Sequence, residues 1–185
     1  MSVLKQKTFM KRITILIVFA IASLACFAQD NEPHVITNKS FYAEIGGPGI
    51  LFSANYDSRF NKTPFGFGGR VGLGFVSADE SDYMNGNYTF KRSTALTLPV
   101  QLNYIFGQTN SVNAFEVGFG FTYVSKQLDI FNFYDKKGPN LYGTAAFMYR
   151  RVPVNGGFSW RIGFTPLVGN GNVQASGGAS VGYNF

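Results

Sequence analysis

The sequence is poor in the residues that carry most redox and acid–base chemistry. Among its 185 residues there is one cysteine, Cys26, and one histidine, His34. A lone cysteine excludes an internal disulfide framework. A lone histidine leaves His34 as the sole imidazole for any catalytic pair. Long hydrophobic runs are missing as well. The apolar stretch from Ile13 to Ala25 falls short of the roughly 20 residues a spanning helix needs. Charged residues make up 14% of the chain, too few for a long solvated helix or an acidic or basic tail. No stretch reads as a second domain or as a repeat array.

What is present begins with a targeting pattern. Lys5, Lys7, Lys11 and Arg12 precede the apolar run, and Cys26-Phe27-Ala28 follows it. A basic segment, a short apolar segment and a small residue at the cut describe a secretory signal peptide over residues 1–28. A lipoprotein cut before Cys26 is the alternative, although Ser23-Leu24-Ala25-Cys26 lacks the usual aliphatic residue three places before the cysteine. Loss of the four basic residues before position 28 takes the formal net charge from +6 to +2. The high isoelectric point is then partly a targeting feature and no argument for a nucleic-acid partner. Residues 29–38 are polar and read as a disordered lead, leaving 39–185 as one domain.

From there on, residues alternate. Phe41, Ala43 and Ile45 oppose Tyr42, Glu44 and Gly46. Ile50, Phe52, Ala54 and Tyr56 oppose Leu51, Ser53, Asn55 and Asp57. Phe67 to Phe75, Leu96 to Phe106, Phe115 to Tyr123 and Phe158 to Phe164 repeat the pattern. The run 141–150 alternates poorly, with Phe147 and Tyr149 on the apolar side. The last run sets Val173, Ala175, Gly177, Ala179, Val181, Tyr183 and Phe185 against Gln174, Ser176, Gly178, Ser180, Gly182 and Asn184. A period of two marks β-strands with one apolar and one polar face. Turns fall at 61–64, 107–111 and 151–156, and polar loops at 77–87 and 126–140. With Gly46–Gly49 as a turn the strands number eight; as a bulge, seven.

The composition of the two faces separates two architectures. A soluble sandwich or lipocalin-like barrel turns its apolar face inward. Here the apolar face carries Phe, Tyr, Trp and Leu almost throughout, too much bulk for a small barrel interior. The other face carries Gly, Ser, Thr and isolated charges, as a narrow polar lumen would. The expected fold is therefore all-β: an eight-stranded antiparallel transmembrane β-barrel of outer-membrane type.

Several stretches carry a resemblance. Glu44-Ile-Gly-Gly, Ser53-Ala-Asn-Tyr-Asp-Ser-Arg-Phe60, Leu98-Pro-Val-Gln-Leu-Asn-Tyr104, Phe115-Glu-Val-Gly118, Gly156-Gly-Phe-Ser-Trp-Arg-Ile-Gly-Phe-Thr-Pro166 and Gly182-Tyr-Asn-Phe185 together resemble a family of small outer-membrane β-barrels from Bacteroidota. The resemblance spans nearly the whole mature chain. It implies the barrel fold and carries over no activity. The closing strand, with Tyr183 and Phe185, resembles the terminal signal read by the barrel-insertion machinery.

Candidate chemistry is sparse. Barrel hydrolases and acyltransferases set a His beside a Ser or carboxylate at the outer rim, whereas His34 precedes the first strand, at the wrong end. Asp79, Glu80 and Asp82 cluster in one loop, without the spacing of a defined cation site. Gly66 to Gly72 is glycine-rich like a phosphate loop, but strand alternation runs through it and no helix follows. The informative residues are the charges on the polar face: Glu44, Asp57, Arg59, Arg70, Glu116 and Arg161. Enclosed together they should pair, since unpaired buried charge is strongly unfavourable. Arg70 and Arg161 are expected to neutralise Glu44 and Glu116, with glycines 68, 72, 74, 118, 120 and 163 giving the long side chains room. The expectation is a closed, non-enzymatic, monomeric barrel without metal or cofactor. Its contacts are outer-membrane lipid, the insertion machinery, and an extracellular ligand through loops 77–87 and 126–140. The alternatives are a narrow pore for ions or small solutes and a lipid-modifying enzyme.

Overall fold

A computed structural model describes residues 37–84, 87–128, 130 and 139–185, with backbone alone for 79–84 and 87–91. The expected signal segment, residues 1–28, and most of the expected polar lead lie outside these residues. Thr37, at the end of that lead, is buried, and its hydroxyl donates to the carbonyls of Pro153 and Val154 at 3.3 and 3.2 Å.

The strands are β1 (Lys39–Gly46), β2 (Phe52–Arg59), β3 (Gly66–Met84), β4 (Asn87–Gly107), β5 (Asn113–Val124), β6 (Leu141–Arg151), β7 (Gly157–Phe164), β8 (Leu167–Gly169), β9 (Asn172–Gln174) and β10 (Gly177–Asn184). Each neighbour pair is antiparallel, from β1 through β7, and β10 joins β7 to β1. That closes an eight-stranded barrel. β8 and β9 form a small hairpin that prolongs β7 and β10 past a break at Thr165–Pro166. Proline has no N–H to give the ladder, yet the Thr165 N–H still reaches the Ser176 carbonyl at 2.8 Å. The final run is thus interrupted at Ala175–Ser176, without losing its parity.

Two regions differ from the sequence reading. Residues 77–84 and 87 are strand rather than loop. β3 and β4 continue as a two-stranded ribbon, with nine register pairs from Val76↔Ala95 to Met84↔Asn87. β2 leaves β3 at Phe75, and β5 leaves β4 at Thr97. At about 3.4 Å per residue the ribbon projects about 27 Å past the neighbouring strands. Its register sets Asp79 opposite Arg92 and Glu80 opposite Lys91.

The second difference is at Gly46–Ile50. This is a turn, so the barrel count is eight, but it folds into the barrel mouth. Gly46 and Gly47 have φ of 70° and 66°, a left-handed conformation that glycine adopts without penalty. Ile50, at φ 77°, follows them and is buried, while Leu51 is exposed. The expected parity is therefore reversed at these two positions. Thr97 Oγ1 donates to the Gly49 carbonyl at 3.1 Å, and Thr122 Oγ1 to the Pro48 carbonyl at 2.6 Å. Ile50 then joins Val76, Ala95, Val124, Leu128, Tyr142 and Leu167 in an apolar cap inside this end. Phe65, Ile105, Ala114 and Val152 form a second cap at the short-turn end.

The barrel is oily outside and polar inside. Phe119 is 67% exposed, while Glu116, three residues before it and on the opposite face, is fully buried. At the short-turn end, every barrel strand places an exposed aromatic within about one turn of the pleat from its terminus. These are Phe41, Tyr56, Phe67, Phe106, Phe115, Tyr149, Phe158 and Tyr183. Neighbouring rings touch: Phe67 meets Tyr104 edge-on at 4.7 Å, Tyr104 meets Phe106 at 4.5 Å, and Tyr149 meets Trp160 at 5.7 Å. The result is an aromatic girdle around one rim.

Candidate functional site: the luminal charge network

The barrel brings all six charges named above into one interior, each with its side chain buried. β1 supplies Glu44, β2 Asp57 and Arg59, β3 Arg70, β5 Glu116 and β7 Arg161. They come from alternate positions, and the pleat turns each of them inward. A seventh, Arg150 of β6, was not among the residues singled out in the sequence. It is buried and central to the network. Its signal was present: if Phe147 and Tyr149 face outward, Arg150 must face inward.

Glu116 is the hub. Arg150 Nη1 donates to its Oε2 at 2.6 Å, and Arg161 Nη1 to Oε2 at 3.2 Å and Oε1 at 3.4 Å. Asn103 Nδ2 adds a bond to Oε1 at 3.0 Å. Asp57 is the second anion. Arg59 Nη2 pairs with its Oδ1, Asn103 Nδ2 donates to Oδ2 at 3.2 Å, and Arg150 Nη1 lies 3.5 Å from Oδ2. Arg59 also bonds Asn103 Oδ1 at 2.6 Å. One amide thus ties the two carboxylates together.

Glu44 stands apart from this hub. Its partner is Arg70, whose Nη1 lies 3.4 Å from Oε1 and 3.1 Å from the Tyr42 hydroxyl. The pairing is therefore Arg70 with Glu44 and Arg161 with Glu116. Tyr42 links the halves, because the Arg161 guanidinium stacks on its ring at 3.4 Å, a favourable cation–π geometry when desolvated. Gln101 donates to Thr144 at 2.6 Å over Gly120 of the strand between them.

Glycine spacing makes room for these groups. A Cβ at Gly68 would enter the Arg59 guanidinium, one at Gly72 the Asn55 amide, and one at Gly120 the Gln101 side chain. Gly74, Gly118 and Gly163 lie in the same way against Thr97, Asn103 and Met148. The space between long side chains is largely occupied, leaving two small cavities of about 10 Å³ each, and an apolar cluster sits at each end. Among the described residues, no group of three His, Cys, Asp or Glu is placed to hold a metal ion.

Tyr183 and Phe185 are both about half exposed on the outer face. The backbone of Phe185 exchanges two hydrogen bonds with Lys39, at 2.9 and 3.1 Å, so the chain end is held in the closing seam. Of the long loops, 126–140 follows β5 as a loop, with residues 129 and 131–138 outside the described part. Comparison of the chain with protein-family models, with curated proteins and with solved structures finds no match.

Proposed function

We propose that this chain is a small, closed outer-membrane β-barrel that acts as a scaffold for its projecting hairpin and loops. The observation that carries the reading is the girdle of eight aromatics around one rim, beneath an apolar outer wall. Aromatic rings concentrate where hydrocarbon meets headgroups. A water-soluble barrel gains nothing from such a ring, and exposed apolar surface on this scale marks an interaction with lipid or protein. The dimensions agree. The twelve residues of β5, at a tilt of about 40°, span about 29 Å, enough for an outer-membrane apolar band of about 25 Å.

In this reading the short-turn rim faces the periplasm. Tyr183 and Phe185 close the barrel during assembly by the insertion machinery, and residues 1–28 are the export signal. The ribbon of β3 and β4 and the loop 126–140 stand outside the cell and meet any extracellular ligand. The filled lumen favours a closed scaffold over a narrow pore, and no reaction is assigned.

Trp160 is the only tryptophan and sits half-buried on the girdle, against Tyr149. In bilayers of brominated lipid its fluorescence should be strongly quenched, most by bromine near the headgroups. Emission unaffected by brominated lipid, with the protein recovered in the soluble fraction after carbonate washing, would rule out the membrane reading.

A further inference from the structure

Among the described residues the lumen holds four guanidinium groups, Arg59, Arg70, Arg150 and Arg161, against three carboxylates, Glu44, Asp57 and Glu116. Arginine stays protonated in proteins, so this interior carries at least one positive charge in excess. An excess charge buried in a closed barrel needs a counter-ion or a hydrated path.

One cavity fits that need. Ser40, Tyr42, Arg150, Ser159, Trp160, Arg161 and Ser180 line a space of about 10 Å³ at the short-turn half of the lumen. Among the described residues no carboxylate lines it. Two of its lining residues keep a buried donor with no protein acceptor, Arg150 at Nε and Arg161 at Nη2. Ser180 Oγ accepts the Arg161 Nε–H at 2.8 Å, which leaves its own proton free to donate. The lining therefore offers two guanidinium N–H groups and hydroxyls, a donor-rich surface complementary to an anion.

Size narrows the ligand. A space of this volume admits one small single-centre occupant, so phosphate, sulfate and carboxylates do not fit. A second small cavity adjoins the first through Ser40 and Arg150 and reaches the rim past Thr37, Lys39 and Asn184. That gives an approach from the short-turn end. We propose that the cavity between Arg150 and Arg161 is a binding site for a single halide-type anion, which neutralises the excess luminal charge. The proposal does not depend on where the barrel resides.

The test uses the full barrel in detergent. Crystals grown in sodium bromide should show an anomalous peak between Arg150 and Arg161. In solution, chloride at tenfold over its dissociation constant should raise the Tm by about 4 °C over gluconate at equal ionic strength. Ser159→Val puts a second methyl into the cavity, and both the peak and the chloride increment should vanish. An empty or water-filled cavity in bromide crystals would overturn the proposal. So would a chloride increment that survives Ser159→Val, which would place the anion elsewhere. If Ser159→Val does not fold, the bromide peak in the unaltered protein decides alone.

Discussion

Replacing Glu116 by Gln keeps the shape of the luminal hub and removes its charge. The carboxylate accepts from Arg150 at 2.6 Å, from Arg161 at 3.2 and 3.4 Å and from Asn103 at 3.0 Å, with no exposed surface. Its loss leaves four guanidinium groups facing two carboxylates. Removing one partner of a buried pair costs about 3–5 kcal/mol, because the remaining charge is stranded. Asp57 moderates the loss, since Arg150 and Arg161 lie 3.5 and 3.9 Å from its Oδ2. We expect about 3 kcal/mol, the low end of that range. With a urea dependence near 2 kcal/mol per M, the unfolding midpoint in micelles would fall by about 1.5 M. Double-mutant cycles then locate the energy. Glu116→Gln with Arg161→Leu should show a coupling of about 1–3 kcal/mol, whereas Glu44→Gln with Arg161→Leu should be additive within about 0.5 kcal/mol. A midpoint unchanged by Glu116→Gln, or equal coupling in both cycles, would refute the paired network.

Three further outcomes follow from the same geometry. Phe119→Arg sets a charge on the outer wall near mid-barrel and should cost about 2–4 kcal/mol in lipid; a change below about 0.5 kcal/mol in bilayer-refolding equilibria would remove Phe119 from the hydrocarbon. Gly47→Ala forces a left-handed residue and brings a methyl to 2.7 Å from the Glu44 carboxyl carbon, so it should lower stability by about 2 kcal/mol or more in the same assay; a neutral result would mean that the turn is not seated in the lumen. Planar-bilayer recordings should show no steady conductance, since eight strands leave an interior that side chains fill; stable openings altered by Arg70→Ala or Arg161→Ala would make the charges a pathway.

Where one face is apolar and the other polar, the period of two was enough to orient the strands, from Phe41 to Ile45 and from Phe115 to Tyr123. It failed in three places for separable reasons. The run 141–150 carries Gly143, Ala145 and Ala146, small residues on both faces, so Arg150 was not singled out. Residues 77–84 pair only with β4, beyond the barrel wall, and a polar sequence without apolar alternation reads as a loop even where the strand is paired. The inward fold at Gly46–Ile50 depends on hydroxyls from Thr97 and Thr122, far along the chain, and on a positive φ at Ile50 that no local pattern announces. Within the site, parity set six charges inside, but which carboxylate each arginine meets depends on strand order and stagger around the barrel.

The central claim is that the outer wall meets lipid while the charges are sealed inside. Nitroxide labels placed one at a time at positions 115–121 of the reconstituted barrel measure this directly. Power-saturation EPR should find positions 115, 117, 119 and 121 accessible to oxygen and shielded from a water-soluble nickel relaxant, with 116, 118 and 120 shielded from both. High accessibility to the nickel reagent at 117 and 119 would contradict the account, because the wall would then face water.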